Sequence, residues 1–177
     1  MLKIAFAGNP NVGKTALINE IAGSRLTVGN WPGVTVEKKE AQFNYKGEDI
    51  FLIDLPGVYS LSPYSNEEII TRDFIINENP DLIINVVDST NLERNLYLTT
   101  LLKELNKPML IALNLFDEFQ KLDYRLDENQ FSEFFGLEFV KTSARTREGL
   151  DELLNKAIAL AKENKKTEYK LHFNSII

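Results

Sequence analysis

Residues 8 to 15 read GNPNVGKT, two glycines framing a turn that ends on Lys14 and Thr15. The spacing G-x-x-x-x-G-K-[ST] suits one ligand class, a phosphate chain. Gly8 and Gly13 permit the backbone through Asn9, Pro10, Asn11 and Val12 to wrap so that its N–H groups face an anion. A helix opening at Lys14, Thr15 and Ala16 adds the partial positive charge of its N-terminus. The Lys14 ammonium would reach the β- and γ-phosphates of a nucleotide, and the Thr15 hydroxyl would ligate Mg²⁺. By composition alone the pattern arises in on the order of 1% of chains of this length. Here it also follows an apolar run, LKIAFAG, and precedes a helical one, KTALINEIAG.

Three further constellations are weak singly. DLPG, residues 54 to 57, matches a pattern that chance supplies about once in two such chains. Its position counts for more: Asp54 ends an apolar run, and ligands of parallel sheets bind at strand carboxyl ends. A carboxylate there can hold Mg²⁺ through water, and the Gly57 N–H can meet a γ-phosphate. NLFD, residues 114 to 117, also ends a strand-like run, whereas the similar NVVD at 85 to 88 has no partner to follow it. The partner of the later one is TSA, 142 to 144. Asp117 can accept from the N1–H and 2-amino group of guanine. Adenine offers no such donor pair and would leave the carboxylate unpaired. Asn114 would tie this loop to the phosphate loop, Ser143 would hold the turn, and the Ala144 N–H would donate to guanine O6.

These residues need strand ends to sit on, and the chain supplies them. Strand-like runs cover 2–8, 34–45, 48–54, 81–88, 108–114 and 137–143. Four are near-continuously apolar, as strands covered on both faces are. The run at 34–45 carries EKKE and then alternates, like an edge strand, and NYKGED after it reads as a hairpin turn to an antiparallel neighbour. Helical patterns lie between. KTALINEIAG stops at Gly23, NEEIITRDFIINE has Asn66 as candidate N-cap, and NLERNLYLTTLLKEL places Leu92, Leu96, Thr99, Leu102 and Leu105 on one stripe. DENQFSEFF is short. GLDELLNKAIALAKEN buries Leu150, Leu153, Leu154, Ala157, Ile158 and Ala161 by its spacing. The expectation is an α/β, three-layer P-loop fold: a six-stranded, mostly parallel sheet with one antiparallel edge strand and about five helices.

Bulk properties narrow the class. The 177 residues include 44% hydrophobic residues and no cysteine, so the chain can build one core without disulfides or thiolate metal sites. A net charge of −6 argues against nucleic acid as a partner. No window approaches the ~18 apolar residues that span a bilayer, and the start lacks a signal-peptide pattern. His172, the single histidine, has no catalytic companion in the sequence. The acid-rich FDEFQKLDYRLDENQ lacks the order of a calcium loop, and the aromatics of FSEFFGLEF read as core.

Taken in order, the four constellations resemble the GTPase motif set. A GTPase also carries a switch I loop between the first helix and the D-x-x-G strand, with a Thr that completes the Mg²⁺ shell; Thr35 in GVTVE holds that place. By itself GNWPGVTV reads as a turn with Trp31 folded onto the core. As switch I, its glycines and proline instead imply a mobile Trp31. GNPNVGKT, GNWPGVTVEKKE, IDLPGVYSLSPYS and EEIITRDFI resemble the N-terminal G domain of the ferrous iron transport protein B (FeoB) family over residues 1 to about 164. The resemblance implies a GTP-binding, GTP-hydrolysing domain with Mg²⁺ at Thr15, Thr35 and Asp54. Lys14, Thr35, Gly57 and Asn11 would serve catalysis, with Asp54 behind the metal and switch II at about 57–66. It implies K⁺ ligated by Asn11 with switch I carbonyls around Gly29 and Trp31. It further implies a helical regulatory domain, begun by residues 165–177, and a membrane domain that moves Fe²⁺. The fragment would lie in the cytoplasm, at the cytoplasmic face of the cell membrane in the longer protein. Self-association as a homodimer or trimer is compatible with it.

Two positions depart from the wider GTPase pattern. Leu115 stands where most have a Lys whose stem packs on the base. Val58 follows DLPG where many place a water-orienting glutamine, so slow turnover is expected. Competing readings are an RNA- or ribosome-associated GTPase, disfavoured by the acidic charge, and a P-loop small-molecule kinase, which has no use for N-x-x-D with T-S-A. A module that holds nucleotide without turnover is the third.

Overall fold

The computed structural model describes the backbone of residues 1–176 and the side chains of residues 1–164. The apolar runs form strands: β1 (Leu2–Gly8), β2 (Leu26–Asn30), β3 (Glu37–Tyr45), β4 (Glu48–Asp54), β5 (Leu82–Asp88), β6 (Met109–Asn114) and β7 (Phe139–Lys141). They make one sheet in the order β2-β3-β4-β1-β5-β6-β7. Pairs β1–β4, β1–β5, β5–β6 and β6–β7 are parallel, while β3 is antiparallel to both its neighbours. The helices are α1 (Lys14–Ala22), α2 (Asn66–Asn77), α3 (Leu92–Glu104), α4 (Phe116–Phe119), α5 (Glu128–Phe135) and α6 (Leu150–Ile176).

Two layers of side chains explain the runs. Phe6, Ile84 and Leu110 point to one face and meet Leu17, Ile18, Leu153 and Ala157 of α1 and α6. Ala5, Ile53 and Ile83 point to the other and meet Phe74, Ile75, Leu98 and Leu102 of α2 and α3. Strands buried on both sides have no room for alternation, and each large apolar side chain contributes about 1.5–3 kcal/mol on burial. Phe131, Phe135 and Phe139 close a smaller cluster beside β6, as the aromatic run suggested, but Phe134 is exposed.

The class is the expected α/β P-loop GTPase fold, with differences of detail, among them a sixth helix, α4, where about five were expected. A seventh strand, β2, forms from Leu26-Thr27-Val28-Gly29-Asn30, so the antiparallel β3 is covered rather than at the edge. The unsatisfied edge of β3 supplies the ladder that this short segment needs. The cap of α2 is Ser65, whose hydroxyl accepts from the Glu68 N–H at 3.1 Å, and Asn66 is the first helical residue. The last helix runs on from the expected 149–164 to Ile176. The side chains of residues 165–177, including His172, lie outside the described residues. The β3–β4 turn is a two-residue hairpin, Lys46 and Gly47 at φ 49° and 86°, steadied by Asn44 accepting from the Gly47 N–H at 3.0 Å.

The loop before α6 allows no side chain at residue 149. Gly149 has φ 75°, and a Cβ there would collide with the Lys141 carbonyl oxygen. Gly149→Ala is expected to destabilise the fold by about 2–4 kcal/mol, combining backbone strain with a displaced β7. A urea-denaturation midpoint measures it; an unchanged midpoint would mean the α6 start shifts freely.

Candidate functional site

The chain leaves β1 on one side of the sheet and returns to β5 on the other, so the crevice beside the carboxyl end of β1 is where a ligand fits. Residues 9–13 turn there, with Asn11 at φ 65° and Gly13 at φ 78°, and α1 begins at Lys14. A side chain at Gly13 would come within 2.6 Å of Asn114 Nδ2. That approach is used: Asn114 donates from Nδ2 to the Val12 carbonyl at 2.9 Å. Its Oδ1 accepts from Thr142 at 3.0 Å, and its backbone carbonyl accepts from Ser89 at 2.7 Å. Asn114, Thr142 and Ser89 are all buried, so this polar knot locks the phosphate loop to the ends of β6 and β7. Asn85, from the other N-x-x-D match, is spent on packing: it donates to the Ala7 carbonyl at 3.3 Å and accepts from Thr99 at 2.5 Å.

A cleft of about 390 Å³ opens over the turn, lined by Asn9, Pro10, Asn11, Gly13, Lys14, Thr15 and Gly57. Lys14 is buried, and its ammonium is hydrogen-bonded to Asp54 Oδ1 and, at 2.7 Å, to the Leu55 carbonyl. The two groups expected to serve phosphate and metal therefore neutralise each other here. Gly57 is held at the cleft because the Val58 N–H donates to the Gly8 carbonyl at 3.1 Å. Asn9 is 3% exposed, and both polar atoms of its amide lack a hydrogen-bond partner in the protein. An orphaned buried amide costs about 1–3 kcal/mol, which a polar ligand or water at the cleft would recover.

Mg²⁺ fits this donor set. Thr15 is exposed at the cleft, with the Asp54 carboxylate at the end of β4. No group of three or more His, Cys, Asp or Glu that could hold a metal occurs among the described residues. An ion that takes one or two protein ligands and completes its shell with phosphate oxygens and water needs no more.

The residues expected to meet the base lie one loop away. Leu115 adopts φ 57°, a left-handed turn that starts α4 and sets Asp117 on its first turn. Asp117 Oδ2 accepts from Arg145 Nε at 2.9 Å and stands 2.8 Å from Nη2 in the same ion pair. Its pKa lies below the ordinary carboxylate range, chiefly through the Arg145 hydrogen bond; burial opposes this, and the Ser143 hydroxyl, the Arg145 charge and the Glu118 N–H add to the lowering. Ser143 is buried, its N–H donates to the Glu148 carbonyl at 3.1 Å, and its hydroxyl accepts from the Thr146 N–H at 3.2 Å. Ala144 follows on the same turn.

The loop expected to act as switch I is elsewhere. Gly29 pairs with Lys38 in the β2–β3 hairpin, and Trp31 and Val36 close its loop through a 2.9 Å N–H to carbonyl bond. Trp31 is 9% exposed, edge-on to Phe74 with centroids 5.8 Å apart, and under Lys38 Nζ at 4.9 Å. The expected mobile tryptophan is thus corrected to a docked one: burial of a large ring against α2 outweighs the flexibility of its glycine neighbours. Thr35 is exposed, and Thr35, Gly29 and Trp31 do not line the cleft that Asn11 lines. The parts played by Thr142, Ser89 and Arg145 are not legible in the sequence. Arg145 directly follows T-S-A, but its relevance depends on a neighbour 28 positions away.

Comparison with known proteins agrees with this geometry. Residues 2–157 match the family model described as ferrous iron transport protein B. The Fe(2+) transporter FeoB of Campylobacter jejuni is 50% identical over 159 residues, 90% of this chain and 26% of that protein. The FeoB of Methanocaldococcus jannaschii is 50% identical over 165 residues, 93% of this chain and 25% of that protein. The chain therefore spans about a quarter of the length of these curated relatives. Among solved structures, the apo cytosolic domain of the T. maritima FeoB iron transporter superposes with a TM-score of 0.88 at 46% identity, covering 91% of this chain and 64% of that one. The FeoB G-domain from Methanococcus jannaschii superposes with a TM-score of 0.81 at 43% identity, covering 91% and 97%. The T. maritima domain is also known in a GMPPNP form. With the family model matched over residues 2–157 and the fold shared with solved FeoB G domains, the chain belongs to the ferrous iron transport protein B family and forms its G domain.

Proposed function

We propose that this domain binds GTP and hydrolyses it to GDP and phosphate, as the switch of a membrane Fe²⁺ transporter. The observation that carries the reading is the shared sheet edge. The turn at Gly8–Thr15 is suited to wrap phosphate, and the hydrogen-bonded knot through Asn114 ties it to the end of β6, three residues before Asp117. Loop N–H groups and Lys14 bind the phosphates, after the ammonium leaves its contact with Asp54. Thr15 and, in the GTP state, Thr35 would hold Mg²⁺ with Asp54 behind it; the ion would supply charge neutralisation. Gly57 meets the γ-phosphate through its N–H. Val58 has no side-chain group to orient water, and water attacks in line under backbone control.

Thr35 reaches the metal only if the 31–36 loop leaves Phe74, so nucleotide binding and the docking of Trp31 compete. The loop then brings carbonyls around Gly29 and Trp31 toward Asn11, the residues that would hold K⁺. A cation there would stabilise charge developing on the β–γ bridge. The helical and membrane domains of the longer protein would receive the switch at the cytoplasmic face. No helix among the described residues is long and apolar enough to cross a membrane.

The test is steady-state GTP hydrolysis with Mg²⁺ in KCl and in NaCl at matched ionic strength, with Asn11→Ala alongside. We expect K⁺ to accelerate the wild type by about ten-fold or more over Na⁺ and the variant to lose that gain. Equal rates in both salts would reduce Asn11 to a turn residue. No turnover in either salt would leave a nucleotide-holding module.

A further inference from the structure

Asp117 already has an occupant. Arg145 donates from Nε to Asp117 Oδ2 at 2.9 Å, and its Nη2 stands in ion-pair contact with the same oxygen at 2.8 Å. A guanidinium edge presents adjacent, coplanar donors in a fixed fork. Guanine presents the same pattern with N1–H and its 2-amino group. The two groups therefore compete for one acceptor, and they are unequally held. The Asp117 side chain is 11% exposed, while the Arg145 side chain is 67% exposed. A second carboxylate, Glu118 Oε1, stands 4.0 Å from Arg145 Nη2 and offers the guanidinium somewhere to go.

We propose that Arg145 is a built-in guanine mimic: it closes the base pocket of the nucleotide-free domain, opposes nucleotide binding and hastens nucleotide release. It rests on the reading that Asp117 recognises guanine. When the base enters, Arg145 is displaced toward Glu118 and solvent. When the base loosens, the guanidinium competes for Asp117 and shortens the lifetime of the complex. The exposed arginine is the partner free to move, because the carboxylate is the more buried of the two.

The test measures GDP affinity and GDP dissociation rate for the wild type, Arg145→Ala and Arg145→Lys, at low and high salt. Arg145 is exposed, so neither substitution disturbs the core. An exposed ion pair of this kind supports a change of about two- to five-fold, seen as tighter binding and slower release in Arg145→Ala. The Arg145→Lys variant keeps the charge but loses the planar fork, and should fall between the two. The gap between wild type and Arg145→Ala should shrink at high salt, as the competing ion pair is screened. If Arg145→Ala binds GDP equally or more weakly, Arg145 is no mimic and the proposal is overturned. ADP serves as the control for the underlying reading: a wild type that does not prefer GDP over ADP would mean that Asp117 does not read guanine at all.

Discussion

Lys14→Ala is expected to lower the single-turnover rate of GTP hydrolysis by about a thousand-fold. The reason is that Lys14 is the cationic side chain lining the cleft over the phosphate turn. Loop N–H groups still bind the nucleotide, but charge accumulating on the β–γ bridge loses its compensating ammonium. A stability effect accompanies the loss. Lys14 and Asp54 form a buried pair, with side-chain exposures of 9% each. Removing one partner leaves a buried carboxylate unpaired, at a cost of about 3 kcal/mol. The double variant Lys14→Ala with Asp54→Ala separates the effects. It should recover most of the lost stability by denaturant midpoint and none of the hydrolysis. A single variant that is stable and hydrolyses GTP normally would remove Lys14 from the mechanism.

Asp117→Asn should exchange one base for another. Guanine needs an acceptor for both N1–H and its 2-amino group, which an ionised carboxylate supplies. The low pKa of Asp117 keeps it ionised through the neutral range. An amide loses the charge and turns a donor toward the 2-amino group. Charge-assisted hydrogen bonds of this type contribute about 1.5–3 kcal/mol, so GTP affinity should fall by about ten- to a hundred-fold or more. Xanthine keeps N1–H and replaces the 2-amino group by a carbonyl, which the new amide of the Asp117→Asn variant can satisfy. Competition of GTP and XTP against a fluorescent nucleotide measures the exchange. Retained GTP preference would mean that the base is read by another residue.

Much of this domain is legible without any coordinates. Buried strands announce themselves as unbroken apolar runs, because both faces of the central sheet are covered, and β1, β5 and β6 obey that rule. The phosphate turn is legible because its chemistry is local: glycines, lysine and threonine act within one short turn. Asp117 and Ser143 are legible because strand order places both at one sheet edge. The misreadings share an opposite cause. β2 carries exposed residues and only forms because β3 offers an edge. Trp31 reads as folded onto the core from its own stretch and as mobile only once the loop is taken as switch I, whereas its position is set by Phe74 on a helix far along the chain.

The sequence by itself determined the fold class and the carboxyl ends of β1, β4, β5 and β6 on which the candidate phosphate and guanine residues sit, since periodicity and short-range spacing encode them. Only the tertiary structure decided which of those residues meet. It paired Lys14 with Asp54, placed Arg145 on Asp117, and held Thr35 and Trp31 away from the cleft in a hairpin docked on α2. These are contacts between groups far apart in the chain, and their selection depends on competition among partners that only a folded core brings within reach.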